Sequence, residues 1–92
     1  MVRNFRSRAL KRFFLRGDPR RIPAEHRQAV RDALTRLNAA TVPEDLNLPG
    51  FALHPLRGDH AGYRAISAGR NWRIVFRFAE GGVAGVNCLD YH

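Results

Sequence analysis

Asn71-Trp72-Arg73-Ile74-Val75-Phe76-Arg77-Phe78-Ala79-Glu80-Gly81-Gly82-Val83-Ala84-Gly85-Val86-Asn87-Cys88-Leu89-Asp90-Tyr91-His92 decides the fold. From Trp72 to Phe78 the side chains alternate. Trp72, Ile74, Phe76 and Phe78 fall on one face, and Arg73, Val75 and Arg77 on the other. Alternation with period two, in aromatic and β-branched residues, is the pattern of a half-buried strand. Gly81-Gly82 supplies a two-residue hairpin turn, because glycine tolerates positive φ, and Val83 to Leu89 is the return strand. This turn sets a register in which Phe78 opposes Gly85, Phe76 opposes Asn87, Ile74 opposes Leu89, Arg73 opposes Asp90 and Trp72 opposes Tyr91. One face then carries Trp72, Ile74, Phe76, Phe78, Leu89 and Tyr91. The other carries Arg73, Arg77, Asp90 and His92 around Val75, Val86 and Cys88. A slip of one residue sends each side chain of a strand to the opposite face.

An apolar hairpin face needs a cover, and the preceding chain provides two amphipathic helices. Ser7 caps the first, Arg8 to about Arg16, in which Ala9, Leu10, Phe13 and Phe14 share a face. Gly17 stops it and Asp18-Pro19 turns the chain. Pro23 and Glu25 suit the start of the second helix. Its stripe is His26, Ala29, Val30, Ala33, Leu34 and Leu37, and it fades around Asn38 to Ala40. Val2 to Phe5, Phe51 to Leu56 and Tyr63 to Ser67 are further strand candidates. His54-Pro55 forces an edge or a bulge, since proline has no N–H for a ladder. Short sequential connections predict an α+β fold, with two N-terminal helices packed on one face of a small, mostly antiparallel sheet. Ninety-two residues make a single domain, 1–92.

Charge is the strongest compositional signal. Sixteen basic residues against eight acidic ones give a net charge of +8, and all but Lys11 are arginine. That balance points to a polyanionic partner, RNA, DNA or anionic lipid, with nucleic acid or a ribonucleoprotein foremost, or to an acidic protein that neutralises the chain. One cysteine, Cys88, excludes an intramolecular disulfide and suits core packing. His26, His54, His60 and His92 match no zinc spacing, so neither a metal site nor a cofactor is expected. No apolar run is long enough to span a bilayer. Met1 to Gly17 loosely imitates a transit peptide, but its aromatics are needed in so small a core. A cytoplasmic, reducing compartment is expected, and Arg57-Gly58-Asp59 is a chance match to an adhesion tripeptide.

With helices on one face, the opposite face of the sheet is left to bind. It shows Arg73, Arg77, Asp90 and His92, with His54 and Arg57 as neighbours from the preceding strand and loop. These are the groups needed for RNA cleavage without metal. A base takes the 2′-OH proton, an acid protonates the leaving 5′-oxygen, and cations stabilise the phosphorane. Histidine titrates in the useful range, so His54 and His92 suit these roles. Asp90 orients a histidine or takes the proton, Arg57 and Arg73 hold phosphate, and Tyr91 stacks on a base or uses its hydroxyl. The bland alternatives are an Arg73–Asp90 ion pair without function, and Tyr91 in the core.

Several spaced pieces resemble the HigB-type toxins of the RelE/ParE superfamily. They are Phe13-Phe14, Leu48-Pro49-Gly50-Phe51, Leu53-His54-Pro55-Leu56-Arg57-Gly58-Asp59, Asn71-Trp72-Arg73 and Asp90-Tyr91-His92. The resemblance implies a compact domain of two helices on an antiparallel sheet. It implies ribosome-dependent, metal-independent cleavage of mRNA in the A site. It also implies neutralisation by a HigA-type helix-turn-helix antitoxin, with operator DNA reached only through that antitoxin. Its catalytic positions fall on His54, Asp90, Tyr91 and His92. Arg57 stands where many relatives carry lysine, which keeps the charge and removes a proton donor. RNA binding is assigned to Arg57, Arg73 and Arg77. Two other classes compete: a non-catalytic RNA or ribosome binder needing only the arginine face, and a ParE-like inhibitor of gyrase.

Overall fold

The computed structural model describes residues 1–90, with Asp90 by its backbone alone. Two helices, α1 (Arg8–Arg16) and α2 (Arg27–Ala39), precede four strands: β1 (His54–Pro55), β2 (Arg64–Ser67), β3 (Trp72–Ala79) and β4 (Gly82–Asp90). The strands form one antiparallel sheet in the order β1-β2-β3-β4. This is the predicted α+β arrangement. Among the described residues no helix is long and apolar enough to cross a membrane.

The local signals act where the sequence puts them. The Ser7 hydroxyl accepts the Leu10 N–H at 3.1 Å and starts α1. Gly17, at φ 67°, closes it and donates its N–H to the Phe13 carbonyl. The helix predicted from Pro23 opens with one tighter turn, Ala24–His26, before α2 begins, a common form of helix start. Leu10, Phe13, Val30, Ala33, Leu34 and Leu37 pack from the helices onto Ile66, Ile74, Phe76, Val83 and Val86 of the sheet. Phe76 is fully buried at the centre.

Two predicted strands shrink. Phe51 to Leu56 keeps only His54–Pro55 as strand. Ala52 turns to φ 48° and Pro55 lacks a ladder donor, although the Ser67 N–H still reaches the Phe51 carbonyl. Val2 to Phe5 is not a strand of the sheet; it makes two isolated parallel bridges to β4, Val2 to Val83 and Phe5 to Val86. Asn4 stitches this seam. Its side-chain oxygen accepts the Gly85 N–H at 2.7 Å and its carbonyl accepts the Val86 N–H.

The hairpin register differs from the prediction, for two separable reasons. Ala79 pairs with Gly82, so the turn is Glu80-Gly81 rather than Gly81-Gly82, which moves the pairing by two residues. A bulge between Val75 and Arg77, at Gly85 with φ 64° on the facing strand, returns one of them. Beyond the bulge Val75 opposes Asn87, Ile74 opposes Cys88, Arg73 opposes Leu89 and Trp72 opposes Asp90. The net slip of one residue exchanges the faces of this part of β4. Val86 lies in the helix-covered core and Cys88 packs against it, whereas both were expected on the open face. Leu89, not Asp90, is the residue directly opposite Arg73.

Two features outside the sheet make local predictions. Asp45 accepts the backbone N–H groups of Thr41 and Val42 at 2.9 and 3.3 Å, and these bonds hold its carboxyl below the usual range. A depressed folded-state pKa adds stability above the unfolded value, near ~3.9 for Asp, and that stability is lost as pH falls through the folded pKa. Asp45→Asn is therefore expected to melt earlier than the parent at pH 7. The gap should close in strong acid, and melting curves at the two pH values test both halves.

His26 is buried, and its ring stacks on Trp72 with centroids 5.0 Å apart. Gly69 touches it so closely that a Cβ there would sit 2.6 Å from the imidazole Nδ1, on a backbone at φ 93°. Gly69→Ala should cost about 1–3 kcal/mol by strain and overpacking. An unchanged thermal midpoint would refute this contact.

Candidate active site

The helix-free face of the sheet carries the candidate groups. His54 pairs with Ala65, Ala65 with Val75, and Val75 with Asn87, so one row crosses all four strands. The next row along is Ser67, Arg73 and Leu89. The floor is made of small residues: Ala65, Val75 and Ala84 are buried, yet none belongs to the core beneath the helices. Tyr63 reaches over this floor. A Cβ on Gly85 would lie 2.8 Å from the Tyr63 hydroxyl, so the end of the tyrosine ring fills the space that Gly85 leaves.

His54 is exposed on the short edge strand. Its Nδ1 lies 2.9 Å from the Ala52 carbonyl oxygen. A carbonyl only accepts, so Nδ1 carries the proton in this contact, and the neutral ring keeps its lone pair on Nε2. The left-handed backbone at Ala52, φ 48°, belongs to the same short segment. Backbone strain of this kind gathers where a structure fixes a functional side chain.

The cations surround this row. Arg57 is exposed at the entrance to the turn Gly58–His60. Arg77 is exposed on β3 opposite Ala84. Arg73 is half-buried, and its Nη1 donates to the Trp72 carbonyl at 3.1 Å, which steadies the guanidinium in the row beside Val75. Asp90 occupies the register position opposite Trp72. Tyr91 and His92, the remaining predicted catalytic residues, lie outside the described residues. The structure thus brings His54, Arg73 and Arg77 to one sheet, while the register position opposite Arg73 falls to Leu89 rather than to Asp90. Three strand spacings separate His54 from β4, about 14 Å across, and Asp90 is about 10 Å further along that strand. Among the described residues no three His, Cys, Asp or Glu side chains converge as a metal site requires.

Sequence reasoning passed over Tyr63, Gly85 and Asn87. Gly85 did carry a signal, because an isolated glycine inside a strand pattern marks a bulge or a close approach. Here it marks both.

Two comparisons bear on identity. Residues 3–92 match the family model of HigB-like toxins, described as the RelE-like toxin of type II toxin–antitoxin system HigB. The chain is also 37% identical, over 92 residues and the full length of both proteins, to the endoribonuclease HigB of Proteus vulgaris. With a matching fold and a matching span, the chain belongs to the HigB-like family of RelE-like toxins from type II toxin–antitoxin systems.

Proposed function

We propose that this toxin is an endoribonuclease that cuts mRNA in the ribosomal A site without a metal ion, and so stops translation in the cytoplasm. The observation that carries the reading is His54, exposed, with Nδ1 tied to the Ala52 carbonyl and Nε2 left to take a proton. The full-length likeness to an endoribonuclease supports the same chemistry. His54 removes the 2′-OH proton, and the 2′-oxygen forms a bond to the adjacent phosphorus. The bond from phosphorus to the 5′-oxygen breaks, and the departing oxygen is protonated by a group of the Asp90-Tyr91-His92 tail, His92 first among them. The products are a 2′,3′-cyclic phosphate and a 5′-hydroxyl. Arg57, Arg73 and Arg77 hold the phosphates and stabilise the charge that builds on phosphorus. A HigA-type antitoxin neutralises the protein, and the net charge of +8 favours an acidic surface on that partner.

Primer extension on mRNA from translating ribosomes tests the reading, with wild type and His92→Gln at matched expression. New 5′ ends at A-site codons are expected for wild type, weak or absent for His92→Gln, and absent when ribosomes are omitted. Growth arrest by both proteins with no new ends would overturn the nuclease and leave a binder or another target.

A further inference from the structure

We infer that Tyr63 is the platform on which the enzyme stacks a nucleobase of its RNA substrate beside the cleaved phosphate. The inference rests on the endoribonuclease reading and assigns a specificity role to a residue outside the catalytic set.

The placement of Tyr63 carries the argument. Its backbone is fixed on both sides: its N–H donates to the His60 carbonyl at 3.0 Å, and its carbonyl accepts the Leu56 N–H at 2.9 Å. It precedes Ala65 by two residues, so it shares the helix-free face with the row that begins at His54. Two residues along a strand is about 7 Å, which sets Tyr63 one step from the row of His54. The side chain then reaches to β4, where its hydroxyl, Cε2 and Cζ lie 2.8, 3.1 and 3.3 Å from the position a Gly85 Cβ would take. Gly85 is the bulge residue, and it is held by Asn4. The ring therefore has a backbone floor under its far end rather than a side chain to push it outward.

The ring is only half-buried. The exposed His60 meets it edge-on, with centroids 6.5 Å apart and planes at 86°. Because Tyr63 is only half-buried, part of its surface stays open to a ligand. The exposed Arg77 stands on the same sheet face, so the neighbourhood offers an aromatic face and a cation together. A base and its phosphate take both, and RNA recognition by unstacked bases uses this pairing.

The test uses programmed ribosomes carrying mRNAs that differ only at the base next to the scissile phosphate, one of them abasic. Single-turnover cleavage is measured for wild type, Tyr63→Phe and Tyr63→Leu, with thermal melts of all three. Wild type and Tyr63→Phe should cut base-bearing templates about five- to 150-fold faster than the abasic one, the span expected of one aromatic stack. Tyr63→Leu should lose that ratio, and Tyr63→Met replaces it if the leucine variant fails to fold. A wild type that cuts base-bearing and abasic templates equally overturns the platform, whatever the variants do. So does a folded Tyr63→Leu or Tyr63→Met that keeps the wild-type ratio. A wild type that cuts no template overturns the nuclease reading itself and the platform with it.

Discussion

His54→Ala is expected to lower mRNA cleavage about 10²–10⁴-fold, the usual contribution of a positioned acid–base group, with the melting temperature close to that of the parent. The separation of the two effects follows from where the residue sits. His54 is exposed on a two-residue edge strand, and its one described hydrogen bond is local, to Ala52. Removing the ring takes nothing from the core. It removes the only base in the row His54, Ala65, Val75 and Asn87, since the other three side chains cannot exchange a proton with a 2′-OH. His54→Gln sharpens the test, because it preserves a polar side chain able to reach Ala52 but cannot take the proton. It should be as inactive as the alanine variant. Single-turnover cleavage on ribosomes measures the loss. Retention of more than about a tenth of the wild-type rate would remove His54 from the mechanism.

Phe76→Ala is expected to destabilise the fold by about 3–5 kcal/mol through lost burial and the cavity left behind. Phe76 is fully buried, at the middle of β3, in contact with Phe78 at 5.8 Å and 76°. Leu10 and Phe13 from α1, and Val30 and Leu34 from α2, belong to the same cluster. A domain of this length has about 5–14 kcal/mol in all, so the variant keeps little margin. Chemical denaturation should show a large fall in the midpoint with the slope preserved. A loss under about 1 kcal/mol would mean that the cluster repacks around the gap.

The two residues differ in how readily the sequence reveals them. Phe76 stands in an unbroken alternation from Trp72 to Phe78, and period two alone puts it inside. The helices were equally plain, because Ser7, Gly17 and Pro23 mark boundaries chemically and the apolar stripes repeat at 3.6. What the alternation does not fix is how β4 lies against β3. That depends on which two residues form the turn and on whether every residue of the return strand is paired. Glu80-Gly81 and Gly81-Gly82 are both acceptable turns by composition, and the register observed is the one in which the N-terminal segment bridges Val83 and Val86, a contact between residues about eighty positions apart. Gly85 was visible as a glycine in a strand, but a bulge moves register only after the turn is known. His54 was legible as a loop-edge histidine before proline; its tautomer was not, since it depends on the backbone of Ala52. Tyr63 looked like an ordinary first residue of a strand until Gly85 was seen to leave room for it.

The seam between Asn4 and Gly85 has a consequence for how the protein comes into being. β4 is flanked by β3 on one side and by the segment from Val2 to Arg6 on the other. The segment from Val2 to Arg6 therefore takes its place only once β4, about eighty residues further along, is available to it. Such non-local pairing slows folding, because the entropy of closing a long loop is lost before the contact repays it. Until β4 is in place, the sheet lacks a strand, Tyr63 lacks its floor, and Arg73 lacks its neighbour Leu89.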